Sequence, residues 1–76
     1  MNDEQLALLR TAVEEHEPQL APLLDEIGSR RLNVFERDRL RVALEQELVE
    51  RGLDDRDERT AYGDRIQRVI AALDDL

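Results

Sequence analysis

The residues whose side chains could most readily bind a metal or act in catalysis form a charged run at the end of the first predicted helix, Glu14-Glu15-His16-Glu17. A histidine among carboxylates can hold a metal ion or take part in acid–base catalysis. In di-iron helical bundles the histidine follows a glutamate by three positions, but Val13 stands at that position here. We therefore interpret the run as a solvated, charged helix end.

Two further segments have part of the spacing of a known site. The acids of residues 53–59 suggest a calcium loop, but a loop begun at Asp55 has Arg59 at its fifth position and Thr60 where glycine is required. The only serine, Ser29, is followed by two arginines and lacks the Asp-Ser-Leu context of an acyl carrier protein. Neither segment predicts calcium binding or a carrier function.

The rest of the chain offers little for catalysis. It contains one histidine, one serine, one tyrosine and no cysteine, and no glycine-rich phosphate loop follows a strand. Its many carboxylates are typical of a solvated surface rather than of a general acid and base. We expect a non-catalytic protein with no catalytic residues, no cofactor and no bound metal.

The charge distribution bears on the class of partner. The net charge is −8, from 19 acidic and 11 basic residues, and residues 29–41 alone carry a net positive charge. Within that stretch Arg39 lies about 160° around the helix from Arg37, so the arginines do not form one phosphate-facing line. Nucleic acid is therefore an unexpected partner, although a regulator that uses Arg30, Arg31, Arg37 and Arg41 stays an alternative. The other alternative is an acidic decoy or immunity-type inhibitor that covers a basic partner.

The segment 33–52 carries most of this arginine group. Its pattern predicts one helix with two apolar lines. Leu40, Leu44 and Leu48 form one line, and Phe35, Val42, Val49 and Leu53 form a second line nearly opposite. A helix with two apolar sides needs neighbours on both. We expect this helix at the centre of a bundle, covered on both sides by the segments before and after it.

The boundaries of the helices follow from capping and turn signals. Asn2 with Gln5, and Asn33 with Glu36, have the spacing of reciprocal caps, and Gly52 is expected as a left-handed cap. Gly63 would allow another backbone to come close. The prediction is a single all-α domain, residues 1–76, with three main helices at about 3–16, 33–51 and 57–75 and a short helix at about 18–27. The last helix begins either at Thr60, which can cap it, or slightly earlier, from Asp55.

The expected function is protein–protein contact, with a homodimer as one form of it. The contact surface is predicted to be whichever apolar line the bundle leaves uncovered, either Phe35/Val42/Val49 or the seam from Tyr62 to Leu76. The candidate surface residues are Arg30, Arg31, Phe35, Arg37, Arg41, Val49, Tyr62 and Arg65. No apolar run is long enough to span a membrane and no basic signal segment is evident, so we expect a cytoplasmic protein.

Overall fold

The computed structural model describes residues 1–76 and contains four α-helices and no β-strand. The main helices are α1 (Asp3–His16), α3 (Val34–Arg51) and α4 (Ala61–Ala72). A 3₁₀ turn (Pro18–Leu20) leads into the short helix α2 (Ala21–Leu24), and a second 3₁₀ turn (Leu73–Asp75) follows α4. The prediction of an all-α bundle with three main helices and one short helix is confirmed. No helix has the length and apolar character required to cross a membrane.

Local hydrogen bonds define the starts of the three main helices. Asn2 and Gln5 cap each other reciprocally, with bonds of 2.8 and 3.0 Å, and Asn33 and Glu36 do the same at 2.8 and 2.9 Å. Each pair satisfies two backbone donors that a helix start leaves free. The hydroxyl of Thr60 accepts a bond from the backbone N–H three residues later and caps α4.

Two predicted boundaries are wrong, and in both cases turn geometry is the reason. The last helix begins at Ala61, directly after the predicted cap Thr60, and not at the earlier start near residue 57, because Asp57 has a positive φ of 60° and Thr60 is extended. The short helix ends at Leu24 rather than near residue 27, because residues 25–27 bond to the carbonyl three residues before them and the chain then turns at Gly28, where φ is 91°.

The core lies where α1, α3 and α4 pack against one another, with α2 closing one end. Its 13 apolar residues are Leu8, Leu9, Ala12, Val13, Leu20, Leu24, Leu32, Leu40, Ala43, Leu44, Ile66, Val69 and Leu73. The α4 seam therefore faces inward, and its two ends, Tyr62 and Leu76, pack partly buried against this core. It is not a free surface.

The expectation that both apolar lines of α3 are covered is wrong. Leu40 and Leu44 are fully buried, whereas Phe35, Val42 and Val49 are exposed. The neighbours α1 and α4 also pack against each other, so both lie on the same side of α3. One face of the longest helix is left without a neighbour.

A close approach of two glycines joins the end of α3 to the start of α4. A Cβ at Gly63 would lie 2.1 Å from the carbonyl oxygen of Gly52, and a Cβ at Gly52 would lie 3.0 Å from the Cα of Gly63. The expected close backbone approach at Gly63 is thus confirmed. The expected left-handed conformation of Gly52 is wrong, because its φ is −95°. Gly52 is required for space rather than for its backbone angles.

Candidate functional site

A buried carboxylate on α3 gathers polar side chains from all three main helices. The side chain of Glu47 is 1% exposed. Its Oε1 accepts a bond from Nε2 of His16 on α1 at 2.8 Å and one from Arg51 at 3.0 Å. Its Oε2 accepts a bond from the Tyr62 hydroxyl on α4 at 2.6 Å. We call Glu47, His16, Arg51 and Tyr62 the Glu47 cluster.

Exposed acids surround the Glu47 cluster and extend its network to the surface. Arg51 also bonds to Glu15 at 2.8 Å, and Nδ1 of His16 lies 3.5 Å from Glu50. The His16 side chain is only 10% exposed. The interpretation of His16 as part of a solvated helix end is therefore wrong, whereas its neighbours Glu14 and Glu15 are exposed as expected.

The environment shifts the pKa of three members of the Glu47 cluster. The hydrogen bond to Glu15 raises the pKa of Arg51, which stays protonated. Burial alone would raise the pKa of Glu47, but the hydrogen bonds from Tyr62 and His16 and the charge of Arg51 outweigh it, so that this pKa lies below its ordinary value. Burial, followed by the hydrogen bond to Glu47, raises the pKa of Tyr62 to about 12. The shifts of Glu47 and Tyr62 favour an ionised Glu47 that accepts from a neutral Tyr62 near neutral pH.

The hydrogen-bonding groups of the Glu47 cluster are taken up within the cluster and by the acids beside it. Every buried polar side-chain atom has a partner. The Tyr62 hydroxyl and Nε2 of His16 both point at Glu47, so neither is directed into a cavity. The arrangement serves to bind α1, α3 and α4 together at one point, and its favourable energy depends on all partners being present.

The sequence contains one indication of the Glu47 cluster besides the apolar pattern, which is an acid on the inward side of α3. Glu47 lies about 20° from Leu40 around α3 at 100° per residue, and therefore on the buried side of the helix. An acid at an inward position requires partners. Arg51 is the predictable one, since it follows Glu47 by four residues. His16 and Tyr62 lie 31 and 15 residues away in sequence, and only the packing of the helices identifies them.

The second feature is the uncovered face of α3. Phe35, Val42 and Val49 follow one another at intervals of seven residues and are 81%, 40% and 71% exposed. We call these three residues the outer stripe. His16, Glu45, Gln46 and Glu50 border a shallow depression that contains Val42 and Val49. An apolar line with a polar border is typical of an interaction surface.

Most of the predicted arginine group is held by contacts within the chain. Arg30 bonds to Glu26 and Glu36 at 3.0 and 2.5 Å. The bond from Arg30, together with the backbone N–H of Asn33, lowers the pKa of Glu36 to about 2. Arg30 therefore reinforces the cap of α3 and is not a free charge.

The other predicted arginines lie in three separate places. Arg37 donates to the backbone carbonyl of Asp74 at 3.3 Å, and Arg41 lies 3.3 Å from Asp38 and 3.9 Å from Asp74. Arg65 lies 5.9 Å above the ring of Tyr62 on α4, and Arg31 is exposed in the loop before α3. The eight predicted surface residues do not form one continuous surface. Only Phe35 and Val49 among them share the outer stripe.

No protein-family model, no curated protein and no solved structure matches this chain.

Proposed function

We propose that this chain is a non-catalytic helical protein that acts through protein–protein contact, with the outer stripe of α3 as its contact surface. The observation that carries the proposal is the exposure of the outer stripe in a fold whose core is complete without it. Exposed valine and phenylalanine side chains on one face of a helix cost solubility, and a face of this kind is typical of surfaces that a partner covers.

The charges around the outer stripe favour a protein over a nucleic acid. The chain carries a net charge of −8, which repels phosphate at long range. Arg30, Arg37 and Arg41 are bonded to acids or to a backbone carbonyl within the chain. A duplex would have to displace these contacts, whereas a protein that binds the outer stripe would leave them in place.

The experiment compares the wild-type chain with Phe35→Ser and Val49→Ser, each immobilised and exposed to nuclease-treated extract and to untagged copies of the same chain. The matched control is Val34→Ser, because Val34 is a similarly exposed valine of α3 (67%) that lies about 100° around the helix from Phe35. We expect one protein to be retained in stoichiometric amount by the wild type and the control, and to be lost with both stripe variants.

The result that contradicts the proposal is retention of the same proteins by all four baits, or of none by any. Circular dichroism of each bait provides the necessary control for folding. Because both substituted side chains are exposed, we expect their unfolding free energies to stay within about 0.5 kcal/mol of wild type.

A further inference from the structure

We propose that His16 is a proton-controlled latch between α1 and α3. With a proton on Nδ1, its ring pairs with two carboxylates of α3, and without that proton it pairs with one. The inference starts from the Glu47 cluster and does not depend on the proposed function. It is carried by the position of the His16 ring, whose two nitrogens face the carboxylates of two different residues.

The ring of His16 lies between Glu47 and Glu50, which follow one another on the same side of α3 at a spacing of one turn. Nε2 lies 2.8 Å from Oε1 of Glu47, and Nδ1 lies 3.5 Å from Oε2 of Glu50. The His16 side chain is only 10% exposed, so little water can take the place of either carboxylate. Each nitrogen of the chain's only histidine therefore has an acid as its neighbour.

The number of protons on the imidazole decides how many of these acids it can pair with. A neutral imidazole has one N–H and one lone pair, whereas the imidazolium has an N–H at each nitrogen. Because an ionised Glu47 accepts from Nε2, the neutral ring keeps its N–H there and turns the lone pair of Nδ1 towards Glu50. Two lone pairs then face each other. A proton on Nδ1 replaces this repulsion with an attraction between opposite charges.

Two further groups reach His16 only through Glu47. Arg51 on α3 donates to Oε1 of Glu47 at 3.0 Å, and its positive charge opposes a proton on His16. Tyr62 on α4 donates to Oε2 of Glu47 at 2.6 Å and is neutral. Burial of the ring also disfavours its charged form. Against these effects stand the two carboxylates of α3, Glu47 and Glu50, which favour the proton.

The acids of α1 beside His16 are bonded to other side chains. Glu15 accepts from Arg51 at 2.8 Å, which offsets part of the charge of that arginine. Glu17 accepts from the amide of the side chain two residues after it. Glu50 forms an ion pair with His16 alone. The proton on His16 therefore decides whether the carboxylate of Glu50 is paired with α1.

The latch lies at the border of the outer stripe. His16 and Glu50 both border the depression that contains Val42 and Val49. With the proton in place, the imidazolium balances the charge of Glu50. Without it, Glu50 presents an unbalanced negative charge beside the two valines. This consequence for binding rests on the proposed function, whereas the latch itself does not.

NMR of the ring nitrogens tests the latch directly, because the chain has only one histidine. The wild type, Glu50→Gln and Glu45→Gln are labelled with the nitrogen isotope and titrated from about pH 5 to 8, the range in which imidazole changes its charge. We expect Nδ1 to lose its proton as the pH rises while Nε2 keeps its own. The midpoint of this titration should be lower in Glu50→Gln than in the wild type.

The matched control is Glu45→Gln, because Glu45 borders the same depression but forms no ion pair with His16. Its titration should coincide with that of the wild type. Both substituted side chains are exposed, and circular dichroism checks that each variant is folded. An equal midpoint in the wild type and Glu50→Gln would overturn the latch, as would a neutral ring that carries its proton on Nδ1.

The unfolding free energy gives a second readout, with a defined sign. The pairing with Glu50 exists only while Nδ1 of His16 is protonated, so the stability that it adds is present at the acid end of the titration and lost as the pH rises. Urea denaturation should therefore show a larger advantage of the wild type over Glu50→Gln below the midpoint than above it. An equal advantage on both sides would also overturn the latch, and it would leave the proposed function untouched, because the retention of a partner is measured separately.

Discussion

At the scale of single residues, Glu47 is the charged group on which the packing of three helices depends. Two of its partners, His16 and Tyr62, come from α1 and α4, which pack on the same side of α3, and the third, Arg51, lies one turn away. A buried carboxylate is costly without partners and tolerated with them. The Glu47 cluster therefore makes the bundle specific for one arrangement of α1, α3 and α4, and its disruption should be measurable as lost stability.

Glu47→Gln keeps the size of the side chain and removes its charge. The amide has one acceptor oxygen instead of two, so at least one of the donors that face Glu47 loses its acceptor. We expect a loss of about 2 kcal/mol in unfolding free energy, measured by urea denaturation followed by circular dichroism. Glu45→Gln is the control, because Glu45 is exposed on the same helix, and it should change stability by less than about 0.5 kcal/mol.

The difference in unfolding free energy between the wild type and Glu47→Gln should depend on pH. The pKa of Glu47 is lower in the folded state than in the unfolded chain, so its contribution is fully present above the ordinary glutamate value of about 4.3. It is lost as the pH falls through the folded-state value. The stability difference between wild type and Glu47→Gln should therefore shrink at acid pH. A difference that is constant from neutral pH to pH 3 would contradict this role for the charge.

Tyr62 provides a test of the Glu47 cluster at alkaline pH, through the pH dependence of the unfolding free energy. Its pKa is raised to about 12 in the folded chain from the ordinary value of 10.0, so the folded state holds the phenolic proton more tightly than the unfolded state. Its contribution is fully present below pH 10 and lost as the pH rises towards 12, at up to about 1.4 kcal/mol per pH unit.

Tyr62 can be titrated without interference from another tyrosine, because the chain has only this one. Tyrosinate absorbance of the folded protein should rise with a midpoint well above pH 10, and urea should bring the midpoint back to the ordinary value. Tyr62→Phe should remove most of the loss of stability between pH 10 and 12. A folded-state midpoint near 10 would show that the hydroxyl is solvated and not bonded to Glu47.

At the scale of the elements, α3 has one buried side and one exposed apolar side. Its inner side supplies Leu40, Leu44 and Glu47 to the core and to the Glu47 cluster, while its outer side presents the outer stripe. The end of α3 is fixed by its contact with α4, where Gly52 and Gly63 meet without side chains between them. The carbonyl of Gly52 also accepts the backbone N–H of Thr60 at 2.9 Å, just before α4 begins.

Gly63→Ala tests this helix contact. Alanine is favoured over glycine within a helix by about 1 kcal/mol, so propensity alone predicts a more stable protein. The added Cβ would instead lie 2.1 Å from the carbonyl oxygen of Gly52, a backbone atom that cannot move without separating α3 from α4. We expect a net loss of about 2 kcal/mol, since overpacking of this kind typically costs 1–3 kcal/mol.

The control for Gly63→Ala is Ala71→Gly, which measures helix propensity alone at an exposed position of α4. It should cost no more than about 1 kcal/mol. Thermal unfolding of both variants is sufficient for the comparison. An increase in stability with Gly63→Ala would mean that the two backbones are farther apart than described.

At the scale of the whole molecule, size and charge set the conditions for association. A 76-residue chain with a core of 13 apolar residues has a small free energy of unfolding. An apolar face that stays uncovered in such a chain indicates an interaction surface. Covering that face with a partner would add stability by mass action. The net charge of −8 opposes contact between two copies of this chain, because they repel each other at long range.

Salt should therefore strengthen any contact between two copies of this chain through the outer stripe. Raising the ionic strength from about 0.01 to 0.15 M shortens the screening length from about 30 to 8 Å, which weakens the repulsion between whole chains more than contacts at close range. We expect the dissociation constant from sedimentation to fall several-fold over this range. A rise instead would mean that attraction between opposite charges dominates the contact.

The sequence by itself determined the all-α class and the starts of α1 and α3, and it offered Thr60 as one of two starts for α4. Asn2 with Gln5, Asn33 with Glu36, and Thr60 with Gly63 form caps between residues three apart, and such bonds depend only on the local chain. The i, i+4 pair of Glu47 and Arg51 is local in the same way.

Only the tertiary structure decided which side of α3 is covered and which acid is buried. Both lines of α3 have apolar periodicity, and the choice between them depends on α1 and α4 packing on the same side, which no local pattern contains. The environment of Glu47 was undetermined for the same reason, because His16 and Tyr62 reach it from helices distant in sequence. Capping is an interaction over one turn, whereas burial is a property of the assembled bundle.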